Sequence, residues 1–269
     1  MSVLTGPPFT RSSLAADLGA LGVASGDVAM VHAGLRGVGP VVGGVNAVVV
    51  AVLDAVGANG TLVAYADWES GVDDWDDPRL DDAIPMFDKR TARAARDHGI
   101  FAEALRTWPG TVRSDHPDAG IVALGARADE LCAGHPLQYG YGEGSPFAKL
   151  VALSAKILMI GAPLDTITLL HHAEHVARMP GKRTIRYRRK LVCDGAPRWV
   201  EIEEFDTAHP VVDGLPDDFF AHVATDYLAA GGGTRGRFGD AESVVLDAAG
   251  LHRFAVRWLE DWAAQRGSG

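Results

Sequence analysis

Apolar positions along this chain follow two periods in turn. Leu14, Leu18 and Leu21 recur at helical spacing and predict a helix over residues 10–21. Residues 28–32 form a short apolar run with strand character. A glycine-rich loop follows, His32-Ala33-Gly34-Leu35-Arg36-Gly37-Val38-Gly39-Pro40. Then come an apolar helix over 44–56, closed by Gly57, and a second strand over 61–66. Strands and helices in alternation predict an α/β fold with a mainly parallel sheet. The pattern fails over 67–98, where Asp73-Asp74-Trp75-Asp76-Asp77-Pro78, Asp81 and Asp82 make the chain acidic. That segment reads as one long acidic loop, and loops of such length in compact domains are usually functional or disordered.

Helical spacing returns over 100–108 and stops at Pro109-Gly110, and a strand over 121–124 and a helix over 126–133 follow. Ser145-Pro146 has the form of a helix start, with serine as cap and proline in the first turn. Residues 156–160 read as a buried strand, Gly161-Ala162-Pro163 as a turn, and Asp165 as the cap of a helix reaching residue 179. Runs at 184–192 and 198–205 flank Asp194-Gly195 and predict an antiparallel hairpin, which makes the sheet mixed. Helices over 217–229 and 250–264, with a loop around Gly231-Gly232-Gly233, finish the chain. The expectation is a single layered α/β domain over residues 1–269, with a mixed, mainly parallel central sheet and a C-terminal antiparallel hairpin.

Charge narrows the function classes. With 25 basic and 35 acidic residues the net charge is −10, the wrong sign for a nucleic-acid binder and a favourable one for a cationic partner. No apolar run approaches the ~20 residues of a membrane helix. The N-terminus lacks the basic start and apolar stretch of a signal peptide, so a cytoplasmic location is expected. Two cysteines, Cys132 and Cys193, lack both zinc-ribbon spacing and the number a disulfide framework needs.

The most informative stretch is Asp165-Thr166-Ile167-Thr168-Leu169-Leu170-His171-His172-Ala173-Glu174-His175, which follows a buried strand and opens a helix. Ligands of open α/β sheets sit at such strand ends. Thr168, His171 and Glu174 or His175 share one helical face, so a hydroxyl, an imidazole and a carboxylate line up for proton transfer. Read alone, the stretch also fits a histidine-rich helix with solvated polar groups. His171-x-x-Glu174-His175 matches a zinc-protease pattern as well, with the two histidines as ligands and the glutamate as base. A cysteine nucleophile at Cys193 is a further reading.

Several ordered motifs bear on that choice. Thr168-Leu169-Leu170-His171-His172-Ala173-Glu174, Ser114-Asp115-His116-Pro117 and Gly142-Glu143-Gly144-Ser145-Pro146 resemble the T-x-L-H-x-A-E, S-x-H-P and G-x-x-S-P elements of the aminoglycoside 3-N-acetyltransferase family. Val31-His32-Ala33-Gly34-Leu35, Lys182-Arg183 and Phe205-Asp206 also sit where that family has similar residues, and the resemblance runs from about residue 14 to 262. It departs at Ala33-Gly34, where many members carry serine after the histidine.

The resemblance implies transfer of acetyl from acetyl-CoA to an amine, the 3-amino group, of an aminoglycoside, without a metal. His171 is then the general base, Glu174 or Asp206 orients it, and Thr168 hydrogen-bonds the thioester carbonyl or the departing sulfur. His32, Ala33, Gly34, Leu35 and Arg36, with Thr168, are the candidate coenzyme contacts, because free backbone N–H groups in glycine loops bind phosphates. Asp67, Trp68, Glu103, His116, Asp118 and Glu174 are the candidate acceptor contacts, carboxylates being suited to a polycation. Two other classes stay open: a zinc hydrolase, and a binding protein for coenzyme A or a cationic sugar that turns nothing over. Oligomeric state is not legible.

Overall fold

The computed structural model describes residues 7–71 and 82–266. The acidic run at Asp73–Asp77, Pro78 and Asp81 lies outside them. The first helix, α1 (Arg11–Ala20), starts at Thr10, whose hydroxyl accepts the Ser13 N–H while the Ser13 hydroxyl accepts from the Thr10 N–H. This capping box satisfies two amide donors that the first helical turn would leave free. Strand β1 (Val28–Ala33), helix α2 (Gly44–Val56) and strand β2 (Thr61–Tyr65) follow the predicted pattern. Helix α3 (Ile100–Arg106) precedes β3 (Val112–Arg113), β4 (Ile121–Gly125) and α4 (Ala128–Cys132). Ser145 caps α5 (Pro146–Ala152), accepting the Ala148 N–H at 3.2 Å with proline in the first turn.

Strand β5 (Lys156–Ile160) leads into a 3-10 turn, Leu164–Thr166, and then the short helix α6 (Leu170–Val176). This corrects the single helix expected from Asp165 to residue 179. Thr166, Ile167 and Thr168 are β-branched and resist helical winding. Ile167 sits at ψ 85°, and no side chain caps α6. Strands β6 (Thr184–Cys193) and β7 (Ala196–Phe205) form the hairpin, with Asp194 at φ 51° and Gly195 at φ 78° in its turn. Two positive φ angles in a two-residue turn give the twist that a hairpin needs. Helix α7 (Phe219–Ala229), strands β8 (Thr234–Phe238) and β9 (Ala241–Asp247) and helix α8 (Ala248–Arg266) complete the chain.

The central sheet has the order β3-β4-β2-β1-β5-β9-β8. β1 pairs in parallel with β2 and with β5, while β4 and β9 run antiparallel to their neighbours. Five of the seven strands thus point one way, and the sheet is mixed, with a parallel centre, β2-β1-β5, flanked by antiparallel pairs. The mixing comes from β4 and β9; the β6–β7 hairpin forms a two-stranded sheet of its own. Alternate residues of β1 and β5 enter two cores, Met30, Ile157 and Met159 on one face and Val31, Leu158 and Ile160 on the other. Strands buried on both faces read as continuous apolar runs, which is why these two were visible in the sequence.

Candidate active site

The C-terminal ends of β1 and β5 meet at Gly34 and Gly161. A Cβ built on Gly34 would stand 2.3 Å from the Gly161 carbonyl oxygen, so only glycine permits this approach. Beyond them the 3-10 turn Leu164–Thr166 acts as a partition, its three residues each bordering a different cavity. Thr166 lines a cavity of 660 Å³ with His32, Ala33, Gly34, Leu35 and Arg36. Asp165 lines a second, of 340 Å³, with His171 and Glu174. Leu164 lines a third, of 810 Å³.

His171 and Glu174 occupy successive turns of α6, and His171 Nδ1 lies 2.7 Å from Glu174 Oε2. A carboxylate only accepts, so the proton is assigned to Nδ1 and the Nε2 lone pair is left free. The Glu174 side chain is 4% exposed and that of His171 is 19% exposed, so the carboxylate is the more deeply buried of the two residues that border the second cavity. Tyr141 and Phe220 clamp the imidazole, both with ring centroids at 4.8 Å. An imidazole held at one nitrogen and open at the other can take a proton from a ligand in that cavity.

The remaining catalytic candidates sit elsewhere. Asp206 does not reach His171: its carboxylate lies 3.4 Å from Arg183 Nε and from His209 Nδ1 and accepts the Ala208 N–H at 3.2 Å. Thr168 is 8% exposed, precedes α6 and lines neither the first nor the second cavity; its hydroxyl is 3.5 Å from the Thr166 carbonyl. His175, one turn past His171, has its own carboxylate, with Nε2 2.9 Å from Glu204 Oε1. The two histidines of the zinc pattern are therefore tied to different acids, and no three His, Cys, Asp or Glu side chains among the described residues cluster for a metal. Cys193 shares its cavity, at the hairpin turn, with no histidine.

The acceptor candidates divide too. Glu174 lines the second cavity, whereas Glu103 is a brace: it takes two hydrogen bonds from Arg106, at 2.7 and 2.8 Å, and one from the Ala94 N–H. These charge partners hold its carboxyl below the usual range. His116 is 1% exposed and closes a loop, Nδ1 accepting from the Asp118 and Ala119 N–H groups and Nε2 donating to the Leu137 carbonyl. Burial lowers its pKa to about 4. Trp68 packs on Phe87, and Asp118 accepts from Arg189 Nε at 2.9 Å. Asp67 Oδ1 lies 2.6 Å from Nε2 of His98, a residue of the first cavity. Burial raises the Asp67 pKa; burial opposes the charge on His98, but the aspartate outweighs it and that pKa rises as well. His32, beside them, has a buried Nε2 without a hydrogen bond, and burial first, then His98, lowers it to about 4.

A family model described as Aminoglycoside 3-N-acetyltransferase matches residues 30–260. The chain belongs to that family. It is 47% identical over 262 residues to an aminoglycoside N(3)-acetyltransferase III of Pseudomonas aeruginosa, covering 94% of each chain. Among solved structures it is similar to AAC-IIIb in binary complex with CoASH, with TM-score 0.93 and 50% identity, covering 96% of this chain and 98% of that one. It is also similar to AAC-VIa bound to sisomicin, with TM-score 0.91 and 38% identity, covering 96% and 100%.

Sequence reasoning missed the residues that shape the second cavity. Asp165, in place of capping a helix, is exposed and lines the cavity with Asp217. Tyr141 and Phe220 come from distant segments. Glu204 left a signal: it follows Ile202 at the inward parity of β7, an acid in an apolar slot.

Proposed function

We propose that this chain transfers acetyl from acetyl-CoA to the 3-amino group of an aminoglycoside in the cytoplasm. The observation that carries the reading is the imidazole of His171, held by Glu174 at 2.7 Å and open to a cavity with further carboxylates, Asp165 and Asp217. Aminoglycoside amines are largely protonated at neutral pH, and an ammonium group cannot attack a thioester. In this reading His171 Nε2 takes that proton, Glu174 stabilises the resulting imidazolium, and the freed amine attacks the acetyl carbonyl. The C–N bond forms, the C–S bond breaks, the second amine proton passes to the departing thiolate of coenzyme A, and the proton held by His171 goes to solvent.

Asp165 and Asp217 attract other ammonium groups of the acceptor and set which amine meets His171. The glycine loop with His32, Ala33, Gly34, Leu35 and Arg36 holds the coenzyme on the other side of the 3-10 turn. Its backbone N–H groups stand in for the serine hydroxyls that this chain lacks. Thr168 is a turn residue positioning the start of α6, and Asp206 braces the loop after β7 through Arg183.

The test is thiol release from acetyl-CoA with a panel of aminoglycosides, followed by mass spectrometry and NMR of the product. Gain of one acetyl group on the 3-amine supports the reading. Thiol release without an acetylated product, or saturable coenzyme binding with no release, would refute it.

A further inference from the structure

A second carboxylate–imidazole pair, Asp67 and His98, takes no part in the chemistry above. Asp67 follows β2, and His98 ends the 3-10 turn Arg96–His98 that leads into α3. Main-chain contacts bring the two segments together. The Ala95 N–H donates to the Asp67 carbonyl at 3.1 Å, and the Arg96 N–H donates to Glu69 Oε2 at 2.8 Å. Asp67 Oδ1 then lies 2.6 Å from His98 Nε2. His98 lines the first cavity and Asp67 does not, so the carboxylate stands behind the imidazole. With Asp67 at Nε2, Nδ1 is the nitrogen left to a ligand.

The pair sits at the end of this cavity nearest His171. His98 packs edge-on against Tyr65, with ring centroids 4.7 Å apart, and Tyr65 also lines the cavity. The Tyr65 and Tyr141 hydroxyls are 2.7 Å apart, and the Tyr141 ring packs on His171. An amine freed by His171 therefore meets a thioester at the Tyr65 end, beside His98. The sulfur belongs to the coenzyme half of that thioester, on the His98 side.

The groups facing His98 favour its cationic form. Burial opposes the charge, yet Asp67, Asp97 and Glu69 outweigh it and the pKa rises. His32 and Tyr65 add no charge near neutral pH, because burial lowers the first to about 4 and raises the second. An imidazolium carries a proton on both nitrogens, so it can face Asp67 and still donate from Nδ1.

We infer that His98 is a further catalytic residue, whose Nδ1–H donates a hydrogen bond to the thioester sulfur and stabilises the thiolate as the C–S bond breaks. The inference rests on the acetyl-transfer reading above. The hydrogen bond transfers no proton, so bonds and protons balance as they do in that reading. Negative charge builds on sulfur only as the bond breaks, so the contact lowers the barrier and does little for binding.

The test is single-turnover acetyl transfer by the full chain over a pH series, with each variant's fold checked by circular dichroism. His98→Ala is expected to lower the saturated rate about tenfold or more, while the acetyl-CoA concentration giving half that rate changes less than about twofold. The wild-type rate falls as pH rises through the pKa of His98, since only the cation donates from Nδ1. His98→Asn keeps a donor that does not titrate, so it recovers part of the rate and lacks this alkaline fall. Asp67→Asn removes the nearest opposite charge and brings the fall to lower pH. A His98→Ala rate near wild type, or a loss that lies in binding, overturns the inference. So does an alkaline fall that is absent from the wild type, kept by His98→Asn or unmoved by Asp67→Asn. A wild type that transfers no acetyl at any pH overturns the acetyl-transfer reading, and this inference with it.

Discussion

His171 and His175 stand one turn apart on the same short helix, and each has a carboxylate within 2.9 Å. Their surroundings differ. His171 is 19% exposed, with one nitrogen held by Glu174 and a cavity in front of the other. His175 is 6% exposed and faces Glu204, itself 3% exposed, on the hairpin. The same pair of functional groups thus serves, in the proposed reading, as an acid–base device in one place, and forms a buried contact between α6 and β7 in the other. Proximity of histidine and glutamate says little about catalysis; the open nitrogen is what distinguishes them.

The contrast between sealed and open histidines has its largest consequence in acid. His116, His135 and His172 are 1%, 5% and 6% exposed, and burial lowers them from 6.5 to about 4, about 3 and about 4. Below about pH 6.5 the unfolded chain takes up protons that these folded-state groups refuse, so their contribution is intact above that pH and lost as pH falls toward 4. Each accounts for about 1.4 kcal/mol per pH unit in that window, about 4 kcal/mol per unit for three together. Urea unfolding at a series of pH values measures it, and a midpoint flat between pH 6.5 and 5 would contradict it.

Next in size is the sealed pair. Glu204→Ala leaves His175 without its carboxylate and is expected to cost about 3 kcal/mol of stability, read by urea unfolding, with turnover of the folded fraction little changed. A stable variant with collapsed turnover would erase the distinction between the two pairs. Glu174→Gln probes the open pair. An amide can keep contact with Nδ1 yet cannot stabilise the imidazolium, so turnover is expected to fall at least about tenfold while the unfolding midpoint holds.

The smallest effect belongs to the exposed acids. Asp165→Asn and Asp217→Asn are expected to raise the acceptor KM about two- to fivefold each, and added salt should shrink the difference. A KM indifferent to both substitutions and to salt would remove these aspartates from the acceptor site.

Much of the scaffold was legible because apolar burial writes a local period. Val28–Ala33, Gly44–Val56 and Lys156–Ile160 are buried runs bounded by glycine or by turns, and they stand where the pattern put them. Thr234–Phe238 and Ala241–Asp247 were missed. The first is an arginine-bearing edge strand with no apolar run, and the second passes into α8 without a break.

The site was legible in part for the same reason. His171 and Glu174 share one helix, so their spacing displayed the contact. Glu103, His116 and Asp118 look the same in sequence whether a carboxylate or imidazole meets a ligand or a neighbouring arginine or amide. Only the fold brings Arg106, Ala119 and Arg189 to them. Asp165 and Asp217 lie on segments that meet across the second cavity, a juxtaposition with no local signature.

The central claim is that the open nitrogen of His171 removes the acceptor's proton. Its most direct test is His171→Ala, with its fold verified by circular dichroism, in single-turnover acetyl transfer beside the wild type. The expected rate is lower by about a hundredfold or more, with the product unchanged in regiochemistry. A rate within about threefold of wild type would contradict it, since that is far smaller than the loss of a general base.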